Sequence, residues 1–227
     1  MKKMNEDLDE MVGIPFMSPK GSTRTASRQL LQHTIFLDRP IGSPDEYRDE
    51  MLLLEQAGPD DDVRIVINNP GGRLDSGLML INGIQSCQAP VTAMIHEAGS
   101  MATGIALACD NWILGDFSYF FLHNASYGLV GKHHEVESQA RFMSKYVDRF
   151  IKSMYSGFLT PNELKKLHEG DDMWIDRDEL GERLTRYAEY REKQDQKRER
   201  EVKKQFREIM KEMKNAQGKP DSPKDSA

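Results

Sequence analysis

A chain of 227 residues, 38% hydrophobic and 30% charged, is long enough to bury one sizeable core, and its composition suits a single globular domain with a polar appendage. The net charge of −6 and the pI near 5.6 exclude a surface built for nonspecific nucleic-acid binding. No run reaches the roughly eighteen apolar residues of a membrane span, and Met1-Lys2-Lys3 leads into acidic residues rather than an apolar leader, which predicts a cytoplasmic protein with no membrane partner.

Residues 1–28 lack an apolar period and contain Pro15 and Pro19, so they read as a flexible N-terminal segment. A folded domain is expected over 29–185 and a charged helical tail over 186–227. Thr34-Ile35-Phe36-Leu37 reads as a strand, and Ser43-Pro44-Asp45-Glu46 as a helix start with proline at its first position and acids in its first turn. Val63–Ile67 is a buried-strand pattern that runs through Asn68-Asn69 into Pro70-Gly71-Gly72, and Leu74 to Ile84 is an apolar helix. Val91–Ile95, Asn111–Gly115 and Tyr119–Leu122 supply further strands. This alternation predicts an α/β fold with a largely parallel sheet, in which sites gather at the carboxyl ends of strands.

Glu135 to Met154 has apolar residues stepping by threes and fours (Val136, Ala140, Met143, Val147, Phe150, Met154), the signature of a helix with one apolar stripe. The stripe serves equally a core-facing helix and one that joins neighbouring subunits. Beyond Trp174 the composition turns highly charged. Val202, Phe206, Ile209 and Met213 fall at heptad spacing, but two heptads are fewer than a coiled coil needs, so a plain solvated helix is expected, with a disordered end.

Chemistry concentrates around His96-Glu97-Ala98-Gly99-Ser100-Met101-Ala102-Thr103. Small residues surround one serine, and an apolar helix-forming run follows at once. Most serines at helix starts are N-caps. The same position also suits a nucleophile, because a helix start offers unpaired N–H groups and a partial positive charge to an alkoxide or oxyanion. The Pro70-Gly71-Gly72 turn is a second source of such donors, and His123, at the end of the Phe120-Phe121-Leu122 strand, is suited to general-base work. His96 is a rival base. Cys87 and Cys109 have no Cys-x-x-Cys spacing and read as small buried hydrophobes, while His133-His134-Glu135 lacks metal-ligand spacing and reads as solvated.

In order and spacing, these segments resemble the proteolytic subunit of the Clp protease from about Leu30 to about Leu180. The resemblance implies a Clp protease/crotonase-like fold of repeated β-β-α units with a handle helix after the histidine. It further implies Ser100 as nucleophile, His123 as base, Asp172 as orienting carboxylate, and the backbone amides of Gly72 and Met101 as oxyanion donors. Asp171 competes with Asp172 for the third role. By the same resemblance, residues 1–28 form loops at an axial pore, and subunits form a heptameric ring, possibly a double one. Substrates are unfolded polypeptides delivered by a separate AAA+ unfoldase. No Gly-x-x-x-x-Gly-Lys motif is present, so no intrinsic cofactor is expected, and ATP would act only through that partner.

Departures from the family pattern are His96, Asn124-Ala125 after the histidine, Gly170-Asp171 where a ring-stacking Glu-Arg is common, and Arg64 and Ala93 at positions tied to unfoldase docking. A catalytically silent ring subunit and a crotonase-type acyl-CoA enzyme are the alternative functions. The second shares the backbone oxyanion donors but not the serine-histidine pair.

Overall fold

The computed structural model describes residues 30–217, so the expected flexible segment 1–28 and the end of the tail lie outside the described residues. Five strands form one sheet in the order β1-β2-β3-β4-β5. Strands β1 (Gln32–Leu37), β2 (Asp62–Asn69), β3 (Val91–Gly99) and β4 (Asn111–Leu122) are parallel, and β5 (Met173–Ile175) closes the edge antiparallel to β4. Three crossover helices follow the first three strands: α1 (Arg48–Gln56), α2 (Leu74–Ser86) and α3 (Met101–Ala108). The alternating apolar residues of β1 and β2 point Ile35, Leu37, Val63, Ile65 and Ile67 into the core. The α/β class and the mostly parallel sheet agree with the sequence reading.

The Ser43-Pro44-Asp45-Glu46 start is confirmed as a 3-10 turn over Pro44–Tyr47 that runs into α1, with the Glu46 carboxylate accepting from the Ser43 N–H at 2.7 Å. Asn111–Gly115 and Tyr119–Leu122 are two ends of a single strand. The β3–β4 register jumps between Ile95 and Glu97, from Ile95 opposite Leu114 to Glu97 opposite Tyr119, so the intervening β4 residues bulge while the strand continues. His96 sits at that irregularity with its side chain exposed.

Helix α4 (His133–Tyr155) is the expected handle helix; of its expected stripe Val147 and Met154 are buried and Val136, Ala140, Met143 and Phe150 half-buried. Ile151 and Tyr155, off that stripe, are also buried in the chain's core, whereas Phe142 and Tyr146 stack at 5.7 Å on the exposed side of the helix. Helix α5 (Pro161–Glu169) has a Thr160–Glu163 capping box and ends at Gly170 in the left-handed conformation, which turns the chain into β5. Helix α6 (Arg177–Gln217) is continuous across the 185/186 position expected to separate domain from tail. Leu180, Leu184 and Tyr187 pack in the core, and the Arg191 guanidinium donates to the Cys109 carbonyl and lies 5.9 Å over the Trp112 ring. From Glu192 to Met210 the helix is exposed, including Val202, Phe206 and Ile209, and Met213 is exposed as well.

An ion cluster centred on the buried Arg183, with Glu163 half-buried and Glu179 exposed, fastens α5 to α6. Arg183 bonds Glu163 at 2.6 Å and Glu179 at 2.5 Å, holding the segment that delivers β5. The Arg183 guanidinium, aided by the Thr160 N–H and hydroxyl, pulls the Glu163 carboxyl from 4.5 down to about 2. A depressed carboxyl contributes stability that is present above the unfolded pKa and is lost as pH falls through the folded one, here between 4.5 and about 2. Glu163→Gln should therefore cost up to about 3 kcal/mol at pH 7 and flatten the decline of unfolding free energy across that acid window. Denaturant titrations at several pH values check this, and an unchanged acid limb in the variant would contradict it.

Candidate active site

Strand β2 ends in Asn69, fully buried, whose side chain organises the turn that follows. Its Nδ2 donates to the Arg39 carbonyl at 2.5 Å and its Oδ1 accepts from the Gly71 N–H at 2.8 Å. Ile41 then brackets Gly72: the Ile41 N–H donates to the Gly71 carbonyl at 2.8 Å, and the Arg73 N–H donates to the Ile41 carbonyl at 2.9 Å. Because the Gly71 carbonyl and the Gly72 N–H belong to one trans peptide and point opposite ways, the Gly72 N–H points away from Ile41, and it has no acceptor among the described residues. Gly72 carries φ +149°, and a Cβ there would overlap the Ile41 backbone.

Ser100 forms the link between β3 and α3 with φ 50° and ψ −120°, the one non-glycine residue with positive φ among the described residues. Such backbone is strained and persists only where its surroundings hold it. Here the Ser100 N–H donates to the Phe121 carbonyl at 2.7 Å, and its carbonyl accepts from the Thr103 N–H at 3.1 Å and the Thr103 hydroxyl at 2.6 Å. Met101 opens the helix with no acceptor for its N–H among the described residues. Gly71 lies directly against this turn, since a Cβ on it would come 2.7 Å from Ser100 Cβ and 3.0 Å from the Met101 nitrogen.

Strand β4 carries His123 past its last residue. The imidazole is half-buried and stacks on Phe121 at 5.2 Å, and Phe121 in turn stacks on Trp174 of β5 at 4.2 Å. The β4–β5 register pairs Phe120 with Ile175, Phe121 with Trp174 and Leu122 with Met173. The pairing ends there, and His123 and Asp172 each lie one residue beyond it on their own segment. Asp171 and Asp172 both precede β5 and both are exposed.

Ser100, Met101, Gly72 and His123 line one cavity of about 660 Å³, whose apolar wall includes Ile41, Leu74, Met143, Val147 and Phe150. Asp172 is exposed and does not line it, and no hydrogen bond joins Ser100, His123 and Asp172. His96 lies outside the cavity. Ala93 is fully buried in the subunit's own core, so it presents nothing to a docking partner. Cys109 is buried and Cys87 half-buried; burial pushes both thiols upward, which suits neither to nucleophilic work. Among the described residues no helix is long and apolar enough to cross a membrane, and His133-His134-Glu135 lies exposed at the start of α4. Sequence reasoning missed Tyr155, which reaches the Ser100 turn from 55 residues away with no local signal to mark it.

A parallel sheet with a strained serine at a strand-to-helix turn, a histidine on the adjacent strand end and unengaged amides in the same cavity holds the kinds of group that acyl transfer at a serine uses. The chain belongs to the Clp protease family, whose model matches residues 20–182. It is similar to an ATP-dependent Clp protease proteolytic subunit of Deinococcus radiodurans, 28% identical over 130 residues, which cover 55% of this chain and 64% of that relative. The match thus spans less than two thirds of the relative's length.

The packing of Gly71 yields a test independent of activity. Gly170, at φ +105° with nothing within 4 Å of a new Cβ, isolates the cost of left-handed backbone, whereas Gly71, at φ +102°, adds a collision with backbone and Ser100. Gly170→Ala should cost about 1 kcal/mol and Gly71→Ala at least about 2 kcal/mol more, read from urea midpoints at equal slope. Equal losses would show that Gly71 is not wedged against the Ser100 turn.

Proposed function

We propose that the protein is a serine endopeptidase that cuts unfolded polypeptides. Ser100 is the nucleophile, His123 removes its proton and later returns it to the leaving amine, and Asp172 holds the imidazole in the required tautomer. The N–H groups of Gly72 and Met101 stabilise the oxyanion of the tetrahedral intermediate. The observation that carries this reading is the Ser100 turn itself: strained, at the start of a buried helix, and sharing one cavity with His123 and both unengaged amides. The apolar wall of that cavity suits an apolar side chain of an extended substrate, with α4 supplying Met143, Val147 and Phe150. Exposed Phe36, Phe117, Phe142 and Tyr146 support burial against further copies in a ring, heptameric as in the family and possibly doubled. In this reading the site is enclosed by self-assembly in the cytoplasm and fed by a separate AAA+ unfoldase, the source of any ATP dependence.

The second reading, a silent ring subunit, draws on the open spacing of Ser100, His123 and Asp172. Single substitutions decide between them. Ser100→Ala should lower casein and peptide cleavage by several orders of magnitude while leaving the size-exclusion profile unchanged, and His123→Ala should behave alike because the two act as a unit. A parent protein with no cleavage above Ser100→Ala would favour the silent subunit. Asp172→Asn should cost a large part of the rate and Asp171→Asn little if Asp172 is the carboxylate; the reverse order would reassign it.

A further inference from the structure

We propose that Thr103 and Tyr155 are positioning residues for oxyanion stabilisation, their hydroxyls fixing the Ser100–Met101 peptide so that the Met101 N–H faces the cavity. This rests on the hydrolase reading above and names the device that keeps its second amide in place. A trans peptide is planar, with its carbonyl and N–H on opposite sides, so whatever anchors the Ser100 carbonyl also aims the Met101 N–H. That carbonyl accepts the Thr103 hydroxyl at 2.6 Å as well as the Thr103 N–H at 3.1 Å. The Thr103 oxygen stands 2.7 Å from the Tyr155 hydroxyl, which itself lies 3.5 Å from the Ser100 carbonyl.

Proton counting orders the chain. The single Thr103 hydroxyl proton goes to the Ser100 carbonyl, so the Tyr155 hydroxyl donates to the Thr103 oxygen. Thr103 is fully buried and Tyr155 is 3% exposed, so no water competes for these bonds. Burial pushes the Tyr155 phenol up to about 12, which keeps it a donor throughout the neutral range.

An ordinary helix start would need none of this. The first helical bond from the Thr103 N–H already satisfies the Ser100 carbonyl, and a hydroxyl donated to the same acceptor, with a second hydroxyl donated to the first, is superfluous to capping. They matter here because Ser100 holds a φ of 50°, a conformation relieved by rotating the peptide that follows it. Such a rotation would swing the Met101 N–H out of the cavity and the Ser100 carbonyl into it, turning a donor into a repelling acceptor. Tyr155 is the last residue of α4, the helix that also supplies Met143, Val147 and Phe150 to the cavity wall. The helix that shapes the substrate pocket is therefore bonded to the peptide that stabilises charge.

The test uses the full chain with an activated peptide ester, Thr103→Val, Thr103→Ser and Tyr155→Phe, with competent sites counted by the endpoint of fluorophosphonate labelling. Since deleting an oxyanion donor outright costs about 100- to 1000-fold in kcat, losing its anchor should cost less. The expectation is a fall of about 10- to 100-fold in kcat per labelled site for Thr103→Val, a smaller fall for Tyr155→Phe, and KM within about threefold of the parent. Thr103→Ser, which keeps the hydroxyl, should recover most of the rate. A peptide aldehyde, whose adduct carries an oxyanion at the same place, should weaken in parallel with kcat/KM. Parent-like kcat per site in Thr103→Val and Tyr155→Phe would overturn the proposal, as would Thr103→Ser as impaired as Thr103→Val, or a rate loss with aldehyde affinity unchanged. A parent chain that neither hydrolyses the ester nor labels at Ser100 overturns the hydrolase reading instead, and this inference with it.

Discussion

The site depends on one close approach: the Pro70-Gly71-Gly72 turn lies against the Gly99-Ser100 turn with no room for a side chain between them. A Cβ on Gly71 would meet the Gly99 carbonyl and Ser100 Cβ at 2.7 Å, and one on Gly99 would meet the Pro70 carbonyl at 2.7 Å. Two adjacent parallel strands thus end in turns that touch. That contact brings a strained serine, a helix start and a glycine amide to one cavity. Parallel β2 and β3 carry the two turns to the same edge of the sheet, and β4 brings His123 to that edge as well.

The remaining elements hold this edge steady. Asn69 and Ile41 fix the glycine turn from one side, and the Phe121 carbonyl fixes the Ser100 N–H from the other. The Trp174–Phe121–His123 stack lets β5 set the position of the imidazole, and β5 is in turn placed by the Glu163–Arg183–Glu179 cluster between α5 and α6. A feature distant from the chemistry, the start of the long charged helix, therefore bears on where Asp172 stands. The exposed face of α6 beyond Arg191 takes no part in this chain of support.

Much of this was legible in the sequence because it is local. Apolar runs ending in Asn69-Pro70-Gly71-Gly72, Gly99-Ser100 and His123 place strand ends and candidate groups without any tertiary information. The features that escaped are those set by pairing across distance. Gly115 and Asp116 interrupt the apolar pattern of β4, so a strand that bulges and continues reads as two. Asp171 and Asp172 are adjacent and alike in composition, and both stand exposed ahead of β5. Of the expected handle stripe Val147 and Met154 face the chain's own core, but only the fold shows that Ile151 and Tyr155, which the stripe leaves out, are buried with them while Phe142 and Tyr146, also off the stripe, face outward. The Thr103–Tyr155 bond joins residues 52 positions apart, and neither residue type announces it.

The central claim is that Ser100 is an activated nucleophile in the folded chain. Intact-protein mass spectrometry after treatment with a fluorophosphonate, followed by peptide mapping, reads this directly. The account predicts one adduct per chain, located on Ser100, formed rapidly by the native protein and lost on prior unfolding or in His123→Ala. Native protein that stays unmodified, or that carries its adduct on a residue other than Ser100, would contradict it.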